Sequence, residues 1–141
     1  MATYGICEDS RGRVLLTRAA PYLSVGGDWF LPGGGIDHGE EPGTALKREL
    51  LEETGLSVVV GDLLGVLSDV FTLPDGADLH TVRIIYGIAS FTGALRDEVG
   101  GSTDAARWIP MAEALGLPLR PDVRRALTEL RPTTGVTGHG D

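Results

Sequence analysis

A single cysteine in 141 residues rules out an internal disulfide. Cys7 lies in an apolar, strand-like run, which suits a buried structural thiol better than a reactive one. Basic residues are also too few to dominate. The formal net charge is −8, which argues against broad electrostatic binding to nucleic acid or to an anionic membrane surface. A small phosphorylated ligand stays open, because bound cations invert the sign of a local acidic patch. No apolar run approaches the ~18–20 residues needed to span a bilayer. The opening MATYGICEDSRGRV has an acidic pair where a signal peptide needs an apolar stretch. A cytoplasmic protein without nucleic-acid or membrane partners is the expectation. No two histidines stand at ligand spacing, so His38, His80 and His139 read as exposed or capping residues.

What remains is the composition of an ordinary folded domain. Apolar residues make up 42% of the chain and charged residues 23%, so disorder is not the default. The length suits one domain with a proper core. Residues 1–131 carry its patterning, and 132–141 read as a flexible tail without apolar periodicity.

Thr3 to Cys7 and Arg13 to Arg18 read as strands joined into a hairpin by the turn EDSRGR. Arg18 ends the second strand, either as a solvated residue or as a contact for ligand phosphate. Tyr22 and Trp29 flank the following loop, where each suits stacking on a base or capping the core; for Trp29 packing is favoured. Asp28 to Leu31 is a short strand ended by Pro32. After Gly33, Gly34 and Gly35 comes a polar loop, then a helix capped by Gly43 or Thr44 and running to about Thr54, with Gly55 at its C′ position. A second hairpin follows, its β-branched runs joined at Pro74, Asp75 and Gly76. Ala94 to Thr103 is an irregular acidic loop. Ala105 to Ile109 is a last short strand, Ala112 to Leu115 a helical turn, and Asp122 to Leu130 an amphipathic helix with Val123, Ala126, Leu127 and Leu130 on its apolar face.

Two local rules are broken between Leu31 and Leu56. Glu49, Glu52 and Glu53 are spaced i, i+3, i+4 and project from one helical face. Glu52 and Glu53 also occupy the last helical turn, where the macrodipole disfavours negative charge by roughly 0.3–1 kcal/mol each. Clustered carboxylates suit a hard divalent cation such as Mg²⁺, which takes oxygen ligands and is commonly shared between carboxylates and substrate phosphates. A carbonyl of the glycine loop can add a ligand, and the planar fork of Arg48 can hold a carboxylate in place. Glu41 and Lys47 read as a solvated helix face.

Written out, the segment is Gly34, five residues, Glu40, seven residues, Arg48-Glu49-Leu50, one residue, Glu52-Glu53, one residue, Gly55-Leu56. At every position it resembles the signature box of the Nudix hydrolases, G-x5-E-x7-R-E-U-x-E-E-x-G-U, with U aliphatic. The resemblance implies an α/β fold of the Nudix type: an α/β/α sandwich with a mixed, curved sheet between the box helix and the C-terminal helix. It implies Mg²⁺, with Mn²⁺ as a substitute, held by Glu49, Glu52, Glu53 and the carbonyl of Gly33. It implies that Arg48 orients a catalytic glutamate, that one of Glu49, Glu52 and Glu53 accepts a proton from water, and that Glu40 is structural. A further acid from the loop before the last strand often completes such sites. Glu98 and Asp104 both qualify here, with a lean to Glu98.

The implied reaction is hydrolysis of a pyrophosphate linkage in a nucleoside diphosphate-X substrate by metal-activated water. Marks of the subfamilies are missing: Val70 stands where the ADP-ribose type has proline, and Phe71 where the dinucleoside polyphosphate type has tyrosine. By elimination the chain falls nearest the pyrophosphatases of nucleoside triphosphates or modified nucleotides. The alternatives are an ADP-ribose or nucleotide-sugar pyrophosphatase and a non-catalytic nucleotide sensor. Tyr22, Trp29, Phe71 and Arg18 are the candidate substrate contacts, and a homodimer is compatible with the resemblance.

Overall fold

The computed structural model describes residues 1–23 and 26–131, apart from the side chain of Phe71. The expected tail at 132–141 lies outside the described residues.

Seven strands and a few helices form an α/β sandwich. In chain order the strands are β1 (Ala2–Ile6), β2 (Arg13–Ala19), β3 (Trp29–Phe30), β4 (Gly33–Gly35), β5 (Ser57–Thr72), β6 (Asp78–Thr92) and β7 (Thr103–Pro110). Helix α1 (Pro42–Thr54) links β4 to β5. The short α2 (Met111–Ala114) follows β7, and α3 (Pro121–Arg125) continues as a π-helical segment over Ala126–Leu130. The strand layer divides in two. A mixed sheet has the order β4-β1-β6-β5, with β1 parallel to β6, and an antiparallel sheet has the order β3-β2-β7. Among the described residues no helix is long and apolar enough to cross a membrane.

The expected hairpin of the first two strands closes only at its turn. Glu8 bridges Val14, the Leu15 N–H donates to the Cys7 carbonyl at 2.9 Å, and the Asp9 carboxylate accepts the N–H groups of Arg11 and Arg13 at 3.0 and 2.9 Å. Beyond that point the strands part, because both edges of β1 are taken by β4 and β6 and both edges of β2 by β3 and β7. The second hairpin forms as expected, β5 pairing antiparallel with β6 from Ser57↔Thr92 to Thr72↔Asp78, with bulges near Val60 and Leu63.

Two hydrophobic cores lie on opposite sides of this layer. Leu46 and Leu50 of α1 pack with Leu15, Val58, Ile88 and Phe91. Val123, Ala126 and Leu127 of the C-terminal helical region pack with Ile6, Val14, Leu16, Leu67 and Ile85. Leu15 thus faces one core and its neighbours Val14 and Leu16 the other, the alternation a strand requires.

The N-cap of helix α1 falls two or three residues earlier than the expected Gly43 or Thr44. Glu41 is the N-cap residue and Pro42 opens the first turn, where its missing N–H costs nothing. At the other end Gly55 takes φ +80° and its N–H donates to the Leu51 carbonyl, a left-handed cap that a glycine adopts freely.

Candidate active site

The buried face of α1 carries Leu46, Leu50, Glu53 and Thr54. Glu53 therefore falls on the apolar stripe, seven residues after Leu46, and is only 4% exposed. Its Oε1 accepts the N–H of Gly33 at 2.8 Å. Burial, with Glu49, Glu98 and Glu52 nearby, pushes its carboxyl well above the usual carboxylate range, against the opposing pull of the Gly33 N–H. Glu49 is half-buried and shifts the same way, chiefly through desolvation. The Glu52 side chain is 49% exposed. The three glutamates share a helix end but not an environment.

Arg48 joins this end together. Its Nε and Nη2 each donate to Glu40 at 2.9 Å, a bidentate pair. Nη2 also donates to the Gly35 carbonyl at 3.1 Å, while Nη1 reaches Glu49 at 3.0 Å and Glu52 at 3.5 Å. Glu40 is held down to about 2 by the Arg48 guanidinium and the Asp37 N–H. The structural part expected of Glu40 is thus a concrete one: it fixes the guanidinium whose free corner sits between Glu49 and Glu52.

The glycine loop is pressed against these carboxylates. A Cβ at Gly34 would come within 2.8 Å of the Glu49 carboxyl carbon. Gly33 pairs with Tyr4 in β1 at φ +147°, and a Cβ there would run into the Thr3 carbonyl and the Tyr4 side chain. Arg96, which the sequence reading did not single out, donates to the Leu51 carbonyl at 2.8 Å and to the Glu52 carbonyl at 3.4 Å. It places a cation at the helix C-terminus and offsets the dipole conflict of the two terminal glutamates.

Of the two loop acids, Asp104 is taken by Arg18 in a bidentate pair at 2.8 and 3.2 Å. Glu98 points elsewhere: its Oε1 accepts the Thr103 hydroxyl at 3.0 Å and the Thr103 N–H at 3.4 Å, and its charge acts on Glu49 and Glu53. A Cβ at Gly101 would collide with the Glu98 carboxylate.

Next to Glu53 opens a cavity of about 180 Å³. Glu53, Gly33 and Gly34 form one end, and Tyr4, Thr17, Ala19, Phe30 and Thr103 contribute to the rest. Arg18, Tyr22 and Trp29 do not line it. Arg18 lies over the Trp29 ring at 5.7 Å, Trp29 packs at the margin of a core, and the Tyr22 hydroxyl donates to the Gly101 carbonyl at 2.6 Å. The Phe71 side chain lies outside the described residues. Strand alternation sets Thr17 and Ala19 toward the cavity, while Arg18 between them points away.

The chemistry of the donor set fits a hard cation: oxygen ligands from Glu49, Glu52 and Glu53, two of them carrying carboxylates whose charge is disfavoured as they stand. Among the described residues no three such groups already converge on one point. The Nη1 corner of Arg48 fills the space between Glu49 and Glu52, so those side chains must turn toward an ion to bind it. Cys7 is fully buried among apolar neighbours, with its thiol pushed up to about 12, chiefly by burial, and takes no part in the site.

The chain belongs to the Nudix family of hydrolases; the family model described as NUDIX domain matches residues 1–130. Over 122 residues it is 37% identical to the 8-oxo-(d)GTP phosphatase of Mycolicibacterium smegmatis, a match covering 80% of this chain and 35% of that protein. It is 33% identical over 124 residues to the putative 8-oxo-dGTP diphosphatase 3 of Mycobacterium tuberculosis, covering 87% of this chain and 56% of the relative. The chain thus spans about a third and about half of the lengths of these two relatives. A crystal structure of a MutT Nudix hydrolase from Burkholderia pseudomallei is similar with a TM-score of 0.73 and 28% identity, over 92% of this chain and 98% of that one.

Proposed function

We propose that this chain, as a single Nudix domain over residues 1–131, hydrolyses the pyrophosphate linkage of a nucleoside triphosphate or a modified nucleotide with Mg²⁺, Mn²⁺ serving as a substitute. One observation carries the reading: a buried carboxylate, Glu53, is held by the Gly33 N–H among three other acids at the mouth of a cavity. Folding alone does not account for that placement, since it sets like charges together in a site of low dielectric. The names of the two mycobacterial relatives, both giving an 8-oxoguanine nucleoside triphosphate, support the substrate class.

Glu49, Glu52 and Glu53, with the Gly33 carbonyl, would hold the cation. When bound, such an ion polarises a phosphoryl oxygen and makes water more acidic. The residues of the chain do the rest. Arg48, anchored on Glu40, orients Glu49 and Glu52. Glu53, buried and held in place by the Gly33 N–H, is the carboxylate placed to take a proton from water. Glu98, steadied by Thr103, is the second acid facing the helix end, whereas Asp104 is committed to Arg18.

The test is a panel of nucleoside triphosphates, 8-oxo-dGTP, ADP-ribose and nucleotide sugars with Mg²⁺ and with Mn²⁺. Release of a monophosphate and pyrophosphate from a triphosphate is the expected result. Two monophosphates from a nucleotide sugar or ADP-ribose would redirect the substrate class, and no turnover of any member would sink the assignment.

A further inference from the structure

We propose that Thr17 sets substrate specificity by giving its buried hydroxyl to a polar atom on the base that enters the cavity beside Glu53. The inference rests on the nucleotide reading above and adds a residue to it. Thr17 is 1% exposed, and its Oγ1 has no hydrogen-bond partner among the described residues. A buried hydroxyl left unpaired is costly, and native structures rarely keep one without a use. Thr3 is the other such hydroxyl among the described residues, but Thr3 does not line the cavity, whereas Thr17 does.

Folding does not ask for threonine at this position. Thr17 sits in the middle strand of its sheet, paired with Phe30 of β3 and Ala106 of β7, directly after Val14, Leu15 and Leu16. Valine has the same branched shape, suits a buried strand equally well and carries no hydroxyl to bury. The same rigid pairing makes Thr17 a precise reader, since a group on a central strand is held more exactly than one on a loop. Rotation about the Cβ–Oγ1 bond swings its hydrogen, so the hydroxyl can turn to a ligand with no backbone movement.

The surroundings define the ligand. A cavity of about 180 Å³ falls short of the roughly 300–1,000 Å³ that encloses a whole drug-sized ligand. It therefore takes one ring system, leaving the phosphates outside. Ala19, Leu23, Phe30 and Leu31 make much of the wall apolar and suit a flat ring, so few polar groups are left to distinguish one base from another. Thr103 already donates its hydroxyl hydrogen to Glu98 and can only accept. The Thr17 hydroxyl is free to donate as well as accept.

The experiment compares wild type, Thr17→Val and Thr17→Ser on the best-turned-over nucleoside triphosphate and on ribose 5-triphosphate, which has the same phosphates and no base. Thr17→Val is expected to raise KM on the nucleotide about 5- to 30-fold, leave kcat within about twofold and leave ribose 5-triphosphate unaffected. Thr17→Ser is expected to restore KM. Thermal melting should show Thr17→Val at least as stable as wild type, a pairing of weaker binding with undiminished stability that a packing role does not produce. Equal KM values for wild type and Thr17→Val, or equal losses on both substrates, would overturn the proposal. If wild type turns over no nucleotide, the functional reading falls first. Calorimetric titration with nucleoside monophosphates then judges Thr17 alone: tighter binding to wild type than to Thr17→Val supports it, and no difference or no binding refutes it.

Discussion

The C-terminal end of helix α1 and the strand wall of the cavity keep their polar groups in opposite ways. At the helix end, charged groups are tied down: Glu53 to the Gly33 N–H, Arg48 to Glu40, and Glu49 to Arg48. At the strand end the group is neutral and buried, and Thr17 has no hydrogen-bond partner among the described residues. The difference separates two tasks. Carboxylates proposed to hold a cation benefit from being fixed beforehand, because reorganisation during the reaction is then avoided. A neutral hydroxyl recognising a base needs only to be desolvated and waiting, since its bond forms when the ligand arrives.

Removing the charge from Glu53 breaks this contrast most completely. Glu53→Gln keeps the acceptor for Gly33 but cannot take a proton, and turnover should fall by about 10²–10⁴-fold in a phosphate-release assay. Without metal the same variant should be at least as stable as wild type in a thermal melt, because burial already disfavours the charged form of this carboxyl. A variant that keeps wild-type turnover would remove Glu53 from the chemistry. Next in size, Glu98→Gln should slow kcat by about tenfold to a hundredfold, whereas Asp104→Asn should change it by less than about threefold, since a half-exposed ion pair contributes little. The reverse order would exchange their roles.

Glu40→Gln sharpens the comparison by untying the helix end. Arg48 then settles on Glu49 and Glu52 and competes with the cation, so Mg²⁺ should bind about 10- to 100-fold more weakly in a titration of activity against metal. pH acts on the same pair. The folded pKa of Glu40, about 2, lies below the ordinary carboxylate value of about 4.3. Its contribution to stability is thus fully present above about pH 4.3 and is lost as pH falls toward 2. Acid melts of Glu40→Gln and wild type should therefore converge over that window. On folding, Gly33→Ala should cost at least about 1–3 kcal/mol from the strain of φ +147°, to which the overlap of its Cβ with the Thr3 carbonyl adds.

These two ends were not equally legible in the chain. Arg48, Glu49, Glu52 and Glu53 lie within six residues, and helix periodicity alone brings them to one end. The cation at that end, Arg96, was hidden because it arrives from a loop more than forty residues later. The cavity wall was hidden for the same reason. Tyr4, Thr17, Phe30 and Thr103 are ordinary strand residues until tertiary pairing sets them around one space. Side-chain chemistry pointed instead to Arg18, Tyr22 and Trp29, which are conspicuous and sit just outside that space. The first hairpin misled in a related way: its turn residues were read correctly, but partners from distant strands claim both edges of β1 and β2.

The hydrogen bond from Gly33 to Glu53 closes a loop of 20 residues, whereas the pair between Arg18 and Asp104 spans 86. Closing the longer loop costs about 1.2 kcal/mol more chain entropy, roughly two doublings of length. The contacts of β2 with β7 therefore carry a larger entropic cost when the chain folds than the contact between the glycine strand and the helix end.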